Sequence, residues 1–145
     1  MSVELPFAPV DTVIRRNAGQ LRVSAEAAEE LAQRIQERGA TLAVEAAETA
    51  TADGRKTLMA DDFDAPTVDK DQLELPVAPI DRIARLDIDD RYRVSMDARI
   101  VLAGELESYA DTVSTAAAIL ARHADRRTIK AEDIETYYEL QPYFE

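Results

Sequence analysis

The sequence predicts an all-α protein in which two tandem units, each a short, a long and a short helix, close on one another within one chain. Three observations predict it. The chain is written twice, its apolar residues follow helical spacing, and neither copy has enough helix to bury its own apolar stripe.

The repeat comes first. "LPFAPVD" at 5–11 matches "LPVAPID" at 75–81 at five of seven positions. Residues 22–64 align with 93–135 without a gap, and 14 of these 43 pairs are identical. They include Arg22/Arg93, Val23/Val94, Ser24/Ser95, Leu31/Leu102, Arg55/Arg126, Thr57/Thr128 and Asp62/Asp133. The offset moves from 70 to 71, so copy two carries one extra residue between its two blocks. Convergent helices would share a period, but not Pro, Arg and Thr at matched places.

Each element has a local cause. Pro9 and Pro79 suit the first turn of a helix, where a missing N–H is harmless. That helix fades at "NAGQ" (17–20) and "LDIDD" (86–90). Ser24 and Ser95 are N-caps for the long helices, with Glu26 and Asp97 in the first turn. In copy two, Leu102, Leu106, Tyr109, Val113, Ala117, Leu120 and Ala124 make one stripe over roughly seven turns. Copy one follows with Ala27, Leu31, Ile35, Leu42, Ala46 and Ala50, and Arg38 interrupts it. Gly54 and Asp125 open the second loops, and third helices begin near Ala60 and Ala131. Pro66 stops or restarts the copy-one helix after about one turn. The copy-two helix can run to Leu140, before Pro142. The expected organisation is repeat 1 at 5–65, a linker at 66–74 and repeat 2 at 75–140. A single long helix with one stripe and only short partners cannot close a core, so the two long helices are expected to cross antiparallel about a pseudo-twofold axis.

Composition removes several function classes. The 145 residues include no Cys, which excludes disulfides, thiolate zinc sites and cysteine nucleophiles. No apolar run reaches the ~18 residues of a membrane span, and "MSVELPFAPVDTVIRR" lacks a signal-peptide pattern. The expectation is a soluble, intracellular protein. No glycine-rich phosphate loop or nucleophile–base constellation is present, so no enzyme, catalytic residue, cofactor or small-molecule substrate is expected. His123 is the single histidine. Asp53, Asp61, Asp62 and Asp64 lack the spacing of a calcium loop, and no metal is expected.

Charge is lopsided. There are 29 acids against 17 bases, a net of −12, and Lys occurs only at 56, 70 and 130. Such a carboxylate-rich, Lys-poor surface fits a very salty cytoplasm, where like charges are screened within about 3 Å at 1 M; the alternative is an ordinary acidic soluble protein. Yet a basic loop is written twice: "GRKTLMADDFD" (54–64) and "DRRTIKAEDIE" (125–135), each with an Arg, a second base, a Thr and an Asp seven places after the Arg. Of the 17 bases, 11 fall in first helices and loops: Arg15, Arg16, Arg22, Arg55, Lys56, Arg82, Arg85, Arg91, Arg93, Arg126 and Arg127. The long helices carry acids such as Glu26, Glu29, Glu30, Glu37, Glu45, Glu48, Glu105 and Glu107. A basic ridge on an acidic body is expected. For Arg15, Arg16 and Arg91, a solvated charge is as good a reading as a contact.

"LPVAPIDRI", "RVSMDARIVLA" and "RHADRRTIKAEDIE" resemble an archaeal histone, and copy one ("LPFAPVD", "RVSAEAAEELA", "GRKTLMADDFD") is similar but more divergent. The whole of 5–140 resembles the end-to-end pair, or doublet, of salt-loving archaea. The resemblance implies two histone folds in an intramolecular handshake, with the first loop of one copy beside the second loop of the other. Arg22 would stand near Arg126, Arg127 and Thr128, and Arg93 near Arg55, Lys56 and Thr57. The first helices would meet at a third site that holds Arg82, matched in copy one by Thr12. The implied partner is double-stranded DNA, bent or wrapped with little sequence preference by Arg side chains and helix ends. Asp62 and Asp133 would pair with Arg55 and Arg126 and shape the loops. Leu120, His123 and Asp133 match a surface through which histone dimers join, giving self-association through the repeat 2 end. The location implied is the chromosome, in the nucleoid. Asp81, Asp87, Asp89 and Asp90 crowd copy two, so affinity should be low and steeply salt-dependent unless bending compensates. The rival is a histone-fold module that works through protein partners, with weak or lost DNA binding.

Overall fold

The computed structural model describes residues 2–144 and contains, among them, five α-helices and four two-residue strands. Copy one supplies α1 (Phe7–Arg16), β1 (Arg22–Val23), α2 (Ala25–Ala52) and β2 (Thr57–Leu58), then a 3-10 turn at Ala60–Phe63. Copy two supplies α3 (Val77–Ala84), β3 (Arg93–Val94), α4 (Met96–His123), β4 (Thr128–Ile129) and α5 (Ala131–Leu140). The helix starts follow the caps: Ser24 Oγ accepts the Ala27 N–H and Ser95 Oγ that of Ala98, each at 3.1 Å, worth about 1 kcal/mol apiece.

The strands fix how the copies meet. β1 pairs in parallel with β4, Arg22 opposite Thr128, and β2 with β3, Thr57 opposite Arg93. β1 enters α2 and β4 leaves α4, so the start of α2 lies beside the end of α4. β2 and β3 place the other two ends together, and the long helices therefore run antiparallel. Their middles come close because position 39 is glycine: a Cβ there would lie 2.7 Å from Ile83 Cγ2 and 3.0 Å from Leu106 Cδ1.

Burial is wider than a single stripe. Leu102, Leu106, Val113 and Ala117 are buried as the spacing predicts, but so are Ala98, Val101, Ala103, Gly104, Ala110 and Ala118. The cause is that α1, α3, α5 and the copy-one 3-10 turn all pack on α4. Each fully buried Leu or Ile contributes roughly 1.5–3 kcal/mol. In copy one Ala43 is buried where the spacing chose Leu42, which is half-buried. Arg38 does not break the helix; its guanidinium sits 4.5 Å over the Tyr109 ring and reaches Glu105 at 3.8 Å.

The two third helices differ. Both pack on the two long helices, but α5 is a full helix, whereas the copy-one counterpart is one 3-10 turn that ends at Asp64 in the left-handed region (φ 47°), before Pro66 is reached. The chain beyond it lies along α4, where Val68 fills the space above Gly104: a Cβ there would meet Val68 Cγ2 at 2.7 Å.

One acid is not on the solvated face where the sequence places it. Glu107 is buried, and its Oε1 accepts the Glu74 and Leu75 N–H groups at 2.7 and 2.9 Å while Oε2 accepts from Arg16 at 2.9 Å. Its copy-one equivalent, Gln36, accepts the Glu4 N–H at 2.7 Å. Each long helix thus holds the segment that leads into its own copy's first helix.

Candidate nucleic-acid interface

Both second loops are built the same way. α2 and α4 end in left-handed residues, Gly54 (φ 74°) and Asp125 (φ 61°). The next N–H turns back to the helix: Arg55 to Ala50 O at 2.8 Å, Arg126 to Ala121 O at 3.0 Å. This C-terminal cap satisfies carbonyls that the helix leaves open, and it sets each Arg over the carboxylate seven residues on. Arg55 donates to Asp62 at 2.8 and 3.0 Å, to Asp53 at 3.0 Å and to the Thr57 carbonyl at 2.9 Å. Arg126 pairs with Asp133 and with Glu132 at 3.1 Å. The carboxylates also accept backbone N–H groups, Asp62 from Met59 and Asp133 from Lys130, both at 2.8 Å. Arg55's hydrogen bonds hold the Asp62 carboxyl below the usual carboxylate range, against the opposing pull of burial and with help from the Met59 N–H. Arg55 and Arg126 are therefore committed to their loops.

The parallel strand pairs carry the other candidates to the two ends. The Arg22 N–H donates to the Arg127 carbonyl and the Arg93 N–H to the Lys56 carbonyl, both at 2.9 Å. Arg22, Lys56, Arg93 and Arg127 are exposed, and none is in an ion pair among the described residues. Thr57 and Thr128 are half-buried in the strands beside them. Arg22 and Arg93 stand three residues before the first turns of α2 and α4, whose N-terminal N–H groups favour anions.

Arg82 is placed differently. It lies in the last turn of α3 and donates to Glu4 Oε1 at 2.9 Å, across the copies. Of the three bases read as possible solvated charges, Arg15 pairs with Asp11, Arg91 with Asp89, and Arg16 with Asp111 and Glu107. Sequence spacing gives no signal for Arg16, whose partners lie more than 90 positions away. His123 is exposed, Leu120 half-buried, and Asp133 is buried with its carboxylate already engaged. Arg122, which the sequence pattern did not single out, is exposed beside Arg22 and Arg127. A signal for it exists: it is basic where copy one has Thr51.

Among the described residues no cluster of His, Cys, Asp or Glu is arranged to hold a metal, and no helix is long and apolar enough to cross a membrane.

A short-long-short helical unit used twice, antiparallel, with loops paired at both ends, defines a histone-fold pseudo-dimer. Known proteins agree. The family described as histone-like transcription factor (CBF/NF-Y) and archaeal histone matches residues 3–65 and 73–136, and the chain belongs to that family, in a two-repeat form. Its proteins are non-enzymatic, and the family joins DNA binding with self-association. Over 61 residues the chain is 52% identical to a subunit of the archaeal histone HAN1 from Thermococcus zilligii, covering 42% of this chain and 88% of the relative. The histone of Methanopyrus kandleri has a similar fold, with a TM-score of 0.64 at 23% identity over 90% of this chain and 91% of that one. A Thermus thermophilus protein of solved structure matches with a TM-score of 0.72 at 15% identity over 97% of this chain and 98% of that one.

Proposed function

We propose that this chain is a chromosome-associated protein that holds duplex DNA along its paired loop ends and bends it with little sequence preference. The observation that carries this is the repeated end: each places an unpaired Arg just before a long helix, hydrogen-bonded through its backbone to a segment bearing a second unpaired base. Guanidinium groups and helix N-termini suit phosphates, and phosphate contacts carry no sequence information directly. The net charge of −12 keeps affinity low, and the phosphate contacts make it fall with salt.

The test is a binding isotherm from low to molar KCl, with energy transfer between the duplex ends to report the bend. Arg22→Ala and Arg93→Ala weaken binding to all sequences alike and each lower the salt slope by about one unit. Unchanged affinity and slope in both would favour a protein-interaction module instead.

Self-association through the repeat 2 end belongs to the same proposal. Ile119 is 60% exposed beside half-buried Leu120 and exposed His123. The copy-one equivalents are Glu48, Thr49 and Ala52, so the Ile119–Leu120 pair has no aliphatic counterpart there. An isologous contact there closes at two chains. Light scattering with DNA in molar KCl should give two chains for the wild type and one for His123→Ala; long filaments would rule the arrangement out.

A further inference from the structure

In this acidic chain, bases are mostly neutralised. Ten of the 17 are in ion pairs among the described residues, which leaves Arg22, Lys56, Lys70, Arg93, Arg122, Arg127 and Lys130. Four of those seven sit at the β1–β4 end, and three of them, Arg22, Arg122 and Arg127, line one open cleft with Gln20 and Leu21. Holding three guanidinium groups around one cleft without a carboxylate is unfavourable until an anion enters.

The β2–β3 end is assembled from equivalent segments and has a cleft in the same place, lined by Thr51, Gly54, Arg55, Lys56, Arg91 and Tyr92, but its charge differs. Thr51 stands where the other end has Arg122, and its hydroxyl meets that of Tyr92. Tyr92 replaces Leu21, and Arg91, which replaces Gln20, is taken by Asp89. Only Lys56 and Arg93 remain unpaired there.

We propose that Arg122 is a phosphate-binding residue and that the Arg22–Arg122–Arg127 cleft is the main anchor for the duplex, so a pseudo-symmetric protein grips DNA with a polarity. This rests on the DNA reading above. The ligand class is the phosphodiester backbone: each Arg fork donates to two oxygens, and three forks span neighbouring phosphates with no base contact required.

Fluorescence anisotropy with a short mixed-sequence duplex, titrated across KCl, tests it. Arg122→Ala lowers affinity about tenfold, the scale of one charge-assisted hydrogen bond, and reduces the salt slope by about one unit. Lys56→Ala, at the other end, also weakens binding, but by a smaller factor of about threefold. Thr51→Arg combined with Tyr92→Leu adds a guanidinium to the β2–β3 cleft and raises affinity. Since the chain has no Cys, a cleaving iron chelate can be attached at Gln20→Cys or Asp90→Cys, and the Gln20→Cys conjugate should cut DNA more strongly. Equal losses for Arg122→Ala and Lys56→Ala, with equal cutting from both positions, would overturn the polarity while leaving the DNA reading intact. A wild type that binds no duplex even at low salt would overturn both.

Discussion

At the β1–β4 end, segments 17–23 and 121–130 carry five bases (Arg22, Arg122, Arg126, Arg127 and Lys130) against one acid, Asp125. At the β2–β3 end the equivalent segments, 87–94 and 50–59, carry four bases (Arg55, Lys56, Arg91 and Arg93) against four acids (Asp53, Asp87, Asp89 and Asp90). The mechanical parts are the same at both: a Ser-capped long helix, a left-handed helix stop, an Arg folded onto the Asp seven residues on, and a two-residue parallel strand pair. Geometry is what both copies keep, because each end closes the other copy's loop and neither can change alone. Charge differs, because an exposed base can be replaced or neutralised without moving the backbone.

If the mechanical parts matter equally but support different amounts of structure, removing them should expose the difference. Asp133 anchors the ten-residue helix α5, whereas Asp62 anchors a four-residue 3-10 turn, and both pack on the two long helices. Asp133→Ala leaves Arg126 facing Glu132 alone, with the Lys130 N–H unsatisfied, and should cost about 2–3 kcal/mol in urea unfolding. Arg55 likewise keeps Asp53, but the same change at Asp62 should cost less, since only a four-residue turn depends on it. A larger loss at Asp62 would mean that the short turn, not α5, is the tighter clamp.

Acid should act on the β2–β3 end through Asp62. Its folded pKa lies below the unfolded value of about 3.9. Such a carboxylate gives its full stabilisation above the unfolded value and loses it as pH falls through the folded one. Asp62→Asn should therefore have a lower urea midpoint than the wild type at pH 6, and the gap should close below about pH 4. A constant gap down to the acid transition would show that Asp62 acts through shape alone.

The sequence made these ends legible because a repeat is its own alignment. The Ser caps, the Pro-started first helices and the Arg–Asp spacing appear at matched positions and have local causes. The long stripes told less, since they report one face, while α4 is buried on several by elements far off in the chain. Glu107 was misplaced for that reason: nothing beside it in the sequence signals that residues 74 and 75 and Arg16 converge on it. Gly104 is similar, because its use is decided by Val68 crossing over it. Arg122 was readable by comparing the copies, but its significance depends on which carboxylates are absent around it, which only the assembled end displays.

The centre of the molecule offers the mildest test of the same contrast. Arg82 matches the first-helix Arg that the family resemblance assigns to DNA, but its guanidinium is held by Glu4 from the other copy at 2.9 Å. Both are partly exposed, the Arg side chain at 55% and the Glu at 26%, so the pair contributes little to stability. Its effect on DNA should be larger than its effect on folding, since a carboxylate at that spot occupies the fork a phosphate would use and repels the phosphate as well. Glu4→Gln should leave the urea midpoint nearly unchanged and raise duplex affinity about twofold, the scale of one weak surface charge pair. Adding Arg82→Ala should cancel the gain. If Glu4→Gln leaves affinity as it was, and Arg82→Ala does too, the centre takes no part in binding and the duplex is held by the loop ends alone.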